Sequence, residues 1–227
     1  PHAALQTALD VVLVIMAVMA GRVVPMFTNN GVRGANARRQ PTLERAAIGS
    51  AVALGVLDAA LVHGLPVPGA LLAVVAVVAA AVHAARLWLW DPRATLGNPL
   101  VWVLHLAYAF VPLHLALRAL AALGITSAGP ATHALTAGAI GLLTLGMMTR
   151  SARGHTARPL QADTADIASY GLVAAGALLR VVVPLLWPAA TVPAVLLSAL
   201  LWSAGFMVFV FHYGPWLCRA RLDGQPG

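Results

Sequence analysis

The sequence predicts an all-α, polytopic bundle of about seven transmembrane helices, and three observations support this fold class. Of the 227 residues, 60% are hydrophobic and only 9% are charged, whereas a typical soluble domain carries about 25% charged residues. The apolar residues form repeated runs of about 18 or more, the length that a helix needs to cross a bilayer. The alternating segments of about ten residues that indicate a membrane β-barrel are absent. Composition therefore excludes a soluble domain, and the single cysteine, Cys218, excludes an internal disulfide.

Each predicted span is long enough to cross roughly 30 Å of hydrocarbon at about 1.5 Å per residue. The spans are residues 3–20, 46–64, 68–90, 98–120, 131–149, 164–187 and 191–214. Pro112 and Pro184 lie inside spans and should kink them, whereas Pro25 and Pro193 are expected in or near loops. Small residues around Gly138 allow close helix packing and favour a central position for the fifth span.

The connecting segments alternate in charge. Segments 65–67, 121–130 and 188–190 hold no charged residue, whereas the others hold twelve of the fourteen basic residues, all of them arginine. These are Arg22, Arg33, Arg38, Arg39, Arg45, Arg86, Arg93, Arg150, Arg153, Arg158, Arg219 and Arg221. Arginine-rich loops remain cytoplasmic, so we expect the N-terminus outside and the C-terminus inside. The same distribution explains the net charge of +7 without a nucleic-acid partner.

The start of the chain is unusual for a membrane protein. The first span follows Pro1 almost at once, without a charged segment before it. We therefore expect residues 1–227 to be a single transmembrane domain that forms the C-terminal part of a longer protein. If an odd number of spans precedes residue 1, the N-terminus of the longer protein is cytoplasmic. A partner chain is the alternative source of the missing helices.

Ionisable side chains at membrane depth are costly and usually functional. Residue counting places Asp10, Asp58, His63, His114, Arg118, His133 and Arg180 in the outer half of the bilayer. The same count places His83 and His105 in the inner third, His155 and His212 near the cytoplasmic surface, and His2 at the extreme N-terminus. Histidine is the common axial ligand of haem iron and also binds copper.

These positions predict an outer haem site drawn from His63, His114 and His133. Arg118 lies one helical turn from His114, and Arg118 and Arg180 are suited to pair with haem propionates. Asp10 and Asp58 provide an alternative, in which they pair with the two arginines. A second, inner site would use His83 and His105, although the residues beside them offer no obvious buried charge partner. A copper site near Met147, Met148 and His155 has weaker support, because methionine in a membrane helix is usually apolar filler.

Three segments resemble the NnrS family. The first is the stretch from His133 through Gly138, Gly141 and Met148 to Arg150, followed by Gly154-His155-Thr-Ala-Arg158-Pro-Leu160. The second is Gly21-Arg-Val-Val-Pro25-Met-Phe27-Thr28-Asn29, and the third is Tyr213-Gly-Pro-Trp-Leu217 with the tail from Arg221 to Gly227. The resemblance extends over nearly the whole chain.

The resemblance implies a bacterial inner-membrane protein of about twelve spans that contains haem and copper and is linked to nitric oxide and nitrosative stress. We therefore expect a multi-pass protein in the lipid bilayer with haem b, possible copper, and nitric oxide as a ligand. Whether it is an enzyme stays open. Two alternatives are a cytochrome b-like electron-transfer subunit and a non-catalytic transport or assembly subunit. The loop 150–160 is expected to act at the cytoplasmic face through Arg150, His155 and Arg158, with simple charge anchoring as the other interpretation.

The predicted topology can be tested with reporters fused to the C-terminus after residue 227. Because twelve arginines lie on one side and none on the other, we expect a cytoplasmic reporter to be active and a periplasmic reporter to be silent. A fusion in the uncharged segment 121–130 is the matched control and should give the reverse result. Periplasmic activity of the C-terminal fusion would show that the orientation is inverted.

Overall fold

A computed structural model describes residues 2–225, with the side chains of residues 4–225. Expectations that involve Pro1, the His2 side chain or the end of the C-terminal motif lie outside the described residues. The described chain is helical throughout, with no strand. Its helices are α1 (His2–Gly31), α2 (Pro41–Val62), α3 (Gly69–Leu89), α4 (Pro99–Ala122), α5 (Ala128–His133), α6 (Gly141–His155), α7 (Thr164–Leu186) and α8 (Thr191–Leu217).

Seven helical segments are long and apolar enough to cross a membrane, which confirms the predicted fold class. The fifth span runs from Ala128 to His155 and combines α5, a π-helical segment (Ala134–Ile140) and α6. Short 3₁₀ turns at Pro92–Gly97 and Pro188–Ala190 precede α4 and α8. The chain is therefore a multi-pass membrane protein. The loops after α2, α4 and α7 form its uncharged face, and the loops after α1, α3 and α6 form its arginine face.

The first helix continues eleven residues beyond its predicted end. The predicted span ended at Ala20 and Pro25 was expected in or near a loop, whereas the helix includes Pro25 and ends at Gly31. The Thr28 hydroxyl donates to the Val24 carbonyl within this last stretch. The Asn29 side chain then accepts from the Ala37 N–H through Oδ1 at 2.8 Å and donates to the Ala37 carbonyl through Nδ2 at 2.9 Å. These bonds fix the helix end and the loop after it.

The most enclosed helix is α4, rather than the fifth span that the small residues favoured. In its most apolar stretch 67% of the residues are buried, against 50% for the fifth span. Helix α4 packs against α1, α3, α5, the π segment and α6. The fifth span lies directly on it, and Gly138 leaves no room for a side chain beside the Phe110 ring. The glycine pattern thus identified a real close contact, but its partner holds the central position.

Helices α7 and α8 are joined by a reciprocal contact of small residues. The Ser198 hydroxyl donates to the Gly176 carbonyl, and the Ser169 hydroxyl donates to the Gly205 carbonyl, each at 2.7 Å. A Cβ on Gly176 would lie 2.9 Å from the Ser198 carbonyl oxygen, and one on Gly205 would lie 2.9 Å from that of Ser169. Small residues here permit the close approach of two backbones, as in other membrane helix pairs.

The packing of the π segment predicts the effect of one methyl group. In Gly138→Ala the new Cβ would collide with the Phe110 ring, and we expect a loss of about 1–3 kcal/mol of stability. Gly154→Ala is the matched control, because a Cβ there meets open space and alanine favours the helix by up to about 1 kcal/mol. Thermal unfolding in detergent measures both. Equal midpoints for Gly138→Ala and the unsubstituted protein would contradict this packing.

Candidate functional site

Near the uncharged face, Arg118 joins three helices through an ion-pair cluster. Its Nη1 donates to Asp10 Oδ1 on α1 at 2.7 Å, and its Nη2 donates to Asp58 on α2. Gln6 Nε2 donates to the same Asp10 oxygen at 3.1 Å. The ion-pair alternative therefore describes Arg118, and both carboxylates bind this one arginine. Neither aspartate pairs with Arg180.

Arg180 and His133 instead line two pockets between the fifth span, α7 and α8. The larger pocket has a volume of about 470 Å³ and the smaller about 380 Å³. Neither side chain makes a hydrogen bond or an ion pair with any residue in 4–225. Apart from these two groups, the larger pocket is lined mainly by apolar and small residues from the segment 125–130, the end of α7 and the start of α8. Its chemistry suits a ligand with a large apolar body and an anionic group.

His114 lies fully buried on α4 beside this region. Its Nδ1 donates to the Ala131 carbonyl of α5 at 2.7 Å, so the lone pair of the neutral ring is on Nε2. That Nε2 is buried without a hydrogen-bond partner among the described residues. A histidine whose Nδ1–H is held by a carbonyl and whose Nε2 is free has the arrangement of a metal-ligating histidine. His63, in contrast, is exposed at the end of α2 and has no bond to His114 or His133.

Both inner histidines have polar neighbours at both ring nitrogens, and the neutral His105 ring can donate from only one of its two nitrogens. His83 Nε2 donates to the Ala47 carbonyl at 3.2 Å, and its Nδ1 accepts from the Tyr108 hydroxyl at 2.7 Å. The ring nitrogens of His105 lie 3.1 and 3.2 Å from the carbonyl oxygens of Val101 and Trp90. Each ring thus has its own polar neighbours, and no described residue forms hydrogen bonds with both rings.

The expectation that the inner histidines have no buried charge nearby was wrong. Arg86, assigned to a loop from the sequence, is buried one turn along α3 from His83. Its Nη1 donates to the Tyr108 hydroxyl at 2.8 Å, and its Nε and Nη2 donate to Glu44 on α2 at 2.9 and 2.5 Å. Because Glu44 is 42 positions away, the loop charge pattern alone could not reveal this pair.

The three family-like segments meet at the arginine face. Arg150 stacks over Phe27 of α1 at 3.9 Å, and Arg158 stacks over Trp216 of α8 at 4.4 Å. His155 is exposed at the end of α6. The most enclosed arginine of the segment is Arg153, which the sequence did not single out.

Arg153 is the centre of a dense polar cluster. Its Nη2 donates to Asp163 and Asp166 at 2.7 and 2.6 Å, and its Nε donates to the Tyr213 hydroxyl at 2.8 Å. Burial alone would raise the pKa of Asp163. The backbone N–H of Asp166, the guanidinium of Arg153 and the charge of His212 outweigh burial and hold that pKa below its ordinary value. The cluster is therefore a fully bonded anchor between α6, α7 and α8.

Sequence reasoning identified no role for four residues of these clusters, namely Glu44, Tyr108, Asp166 and Tyr213. One local signal was present, because Asp163 and Asp166 form a capping box at the start of α7. No other signal links residues so distant along the chain. Within residues 4–225, no three histidine, cysteine or acidic side chains converge as a metal site would require. A haem needs only one or two axial side chains.

Comparison with known proteins gives one match. The model of a family described as NnrS protein matches residues 1–221. No curated protein and no solved structure matches the chain.

The Arg153 cluster predicts the cost of removing its cation. Arg153→Gln would leave two neighbouring carboxylates without their guanidinium, and we expect a loss of about 3–5 kcal/mol of stability. Arg158→Gln is the matched control, since it removes no ion pair but only a stacking contact worth about 0.5–1 kcal/mol and a 3.5 Å hydrogen bond to the Thr156 carbonyl. The two variants are compared by thermal unfolding at pH 7. Similar midpoints for both would show that the cluster is not the anchor.

Proposed function

Since the chain belongs to the NnrS family, we propose that it is a multi-pass inner-membrane protein that binds haem b and acts in the response to nitric oxide. The observation that carries the proposal is the pair of His133 and Arg180, two unpartnered basic side chains that line the same pockets. The proposal assigns the haem to these pockets. His114 and His133 are the candidate axial ligands, and Arg180 is the candidate partner of a propionate.

The cost of an unpaired charge supports the assignment of Arg180. An arginine within a membrane span costs a few kcal/mol even on the gentlest insertion scale. Arg86, Arg118 and Arg153 each pair with a carboxylate, whereas the half-buried Arg180 pairs with none in the described chain. A propionate would supply the missing anion, and the guanidinium fork matches a carboxylate in shape.

The free nitrogens support the assignment of the histidines. His114 Nε2 is a buried lone pair without a donor, which is costly unless a ligand takes it up. Haem iron bound here would supply the site at which nitric oxide coordinates. Tyr108 and the Ala47 carbonyl hold the His83 ring. The His105 ring faces the carbonyl oxygens of Val101 and Trp90, so the proposal includes neither inner histidine. His155 is exposed at the end of α6, so the proposal includes no copper site there.

The haem site is tested by the haem-to-protein ratio of purified variants. We expect His133→Ala and His114→Ala to lower haem affinity about tenfold or more, as loss of an important metal contact does. Arg180→Gln should weaken binding while leaving the reduced spectrum in place, because the iron ligands are unchanged. His212→Gln, at the arginine face, is the matched control and should retain full haem content.

Full haem occupancy with an unshifted reduced spectrum in both His114→Ala and His133→Ala would contradict the assignment. Loss of haem only in His83→Ala or His105→Ala would move the site to the inner pair. Nitric oxide added to the reduced protein should shift its absorption spectrum. Rapid reduction of the oxidised protein by a quinol, with no response to nitric oxide, would favour an electron-transfer subunit. Absence of haem from the purified protein would favour a transport or assembly subunit.

A further inference from the structure

The cluster of Asp10, Asp58 and Arg118 has more negative than positive charge. Two carboxylates bind one guanidinium, through its neighbouring Nη1 and Nη2 atoms. The carboxyl groups therefore lie side by side, and a fully ionised cluster would have a net charge of −1. Asp10 is 1% exposed and Asp58 is 6% exposed, so water does little to stabilise that charge. Adjacent buried carboxylates ordinarily share a proton, because both cannot ionise at low cost.

Hydrogen bonding gives a second, independent observation. Asp10 Oδ1 accepts from Gln6 and Arg118, but Asp10 Oδ2 is buried and has no donor among the described residues. A bare carboxylate oxygen in such a place is costly. A proton on the Asp10–Asp58 pair removes the net charge and supplies the missing hydrogen.

The Arg153 cluster provides a comparison with the same ratio of charges. There Asp163 accepts from two backbone N–H groups at the start of α7, from Arg153 and from His212. Asp166 accepts from Arg153, from Tyr213 and from the backbone N–H of Asp163. Both carboxylates at the start of α7 thus have several donors, and Asp163 is also partly exposed to solvent. Asp10 and Asp58 lie within helices, away from any N-terminus, and lack these contacts.

A pocket connects the cluster to the uncharged face. It has a volume of about 310 Å³, and its lining includes Gln6, Asp58 and Arg118. Helix α3 contributes only the apolar Leu72 and Ala76, and α5 contributes Ala128 and Thr132. On α4, His114 lies one turn deeper than Arg118, and its Nδ1 is already bonded. On α2, His63 is exposed beyond Asp58. Among the side chains of residues 4–225, the charged groups at this pocket are thus the three of the cluster itself.

We propose that Asp10, Asp58 and Arg118 form a proton-binding site, which holds one proton at neutral pH and exchanges it with water through this pocket. Uptake converts one carboxylate and a hydronium ion into a carboxylic acid and water, and release is the reverse. The site does not depend on the haem proposal, because its atoms are all in this chain and its expected signal comes from aspartate.

Infrared spectroscopy of the full chain in lipid nanodiscs tests the site. The carbonyl stretch of a neutral carboxylic acid is distinct from the carboxylate bands and shifts in deuterium oxide. We expect this band at pH 7 in the unsubstituted protein. Asp10→Asn and Asp58→Asn should each abolish it, because the remaining carboxylate then pairs one-to-one with Arg118 and ionises. Arg118→Gln should strengthen it, because two carboxyl groups without a cation both remain neutral. Asp163→Asn is the matched control and should leave it unchanged.

Absence of the band from the unsubstituted protein at pH 7 would overturn the proposal. So would a band in both Asp10→Asn and Asp58→Asn that is as strong as in the unsubstituted protein. The second result would assign the band to a different carboxylic acid, either another acidic side chain of the chain or a haem propionate. Should a variant fail to fold, the unsubstituted protein labelled with ¹³C at the six aspartate carboxyl groups gives an independent measurement. One of these carbons should have the chemical shift of a neutral acid at pH 7, and six ionised carboxylates would overturn the proposal.

Discussion

The constraint on which this structure depends is that a charge inside a membrane span needs a partner of opposite charge. Arg86 pairs with Glu44 and joins α3 to α2, Arg118 pairs with Asp10 and Asp58 and joins α4 to α1 and α2, and Arg153 joins α6 to α7. Apolar packing holds helices in lipid only weakly, because lipid tails compete for the same contacts. The ion pairs therefore select which helices are neighbours, and α4 lies among them.

Arg180 has no carboxylate partner among the described residues, and the proposed haem site is based on this unpaired guanidinium. It shares its pockets with His133, which is also unpartnered in the described chain. The π segment begins directly after His133, and π-helical turns occur frequently at functional sites. His114 bonds the helix just before that segment and retains a free ring nitrogen. The unbonded side-chain nitrogens of His114, His133 and Arg180 thus come from three helices, of which α5 packs against both α4 and α7.

The sequence predicted what depends on local composition. Seven spans followed from hydrophobic length. The depth count placed Asp10, Asp58 and Arg118 in the same half of the bilayer, and the structure joins these three residues in one cluster. The sequence did not reveal which side chains pair between different helices. Arg86 has a loop-like position but pairs with Glu44, and the polar end of α1 is helical because Asn29 anchors it to Ala37. The difference between His114 and His83 arises from which carbonyl or hydroxyl faces each ring nitrogen, and only the assembled bundle determines that.

An electron microscopy map of the purified protein in a lipid nanodisc would test the central claim most directly. The proposal predicts planar density for a tetrapyrrole between the fifth span, α7 and α8, with its iron bonded to His114 or His133 and a propionate within hydrogen-bonding distance of Arg180. A haem bonded to His83 or His105, or empty pockets beside Arg180 in a protein that contains stoichiometric haem iron, would contradict it.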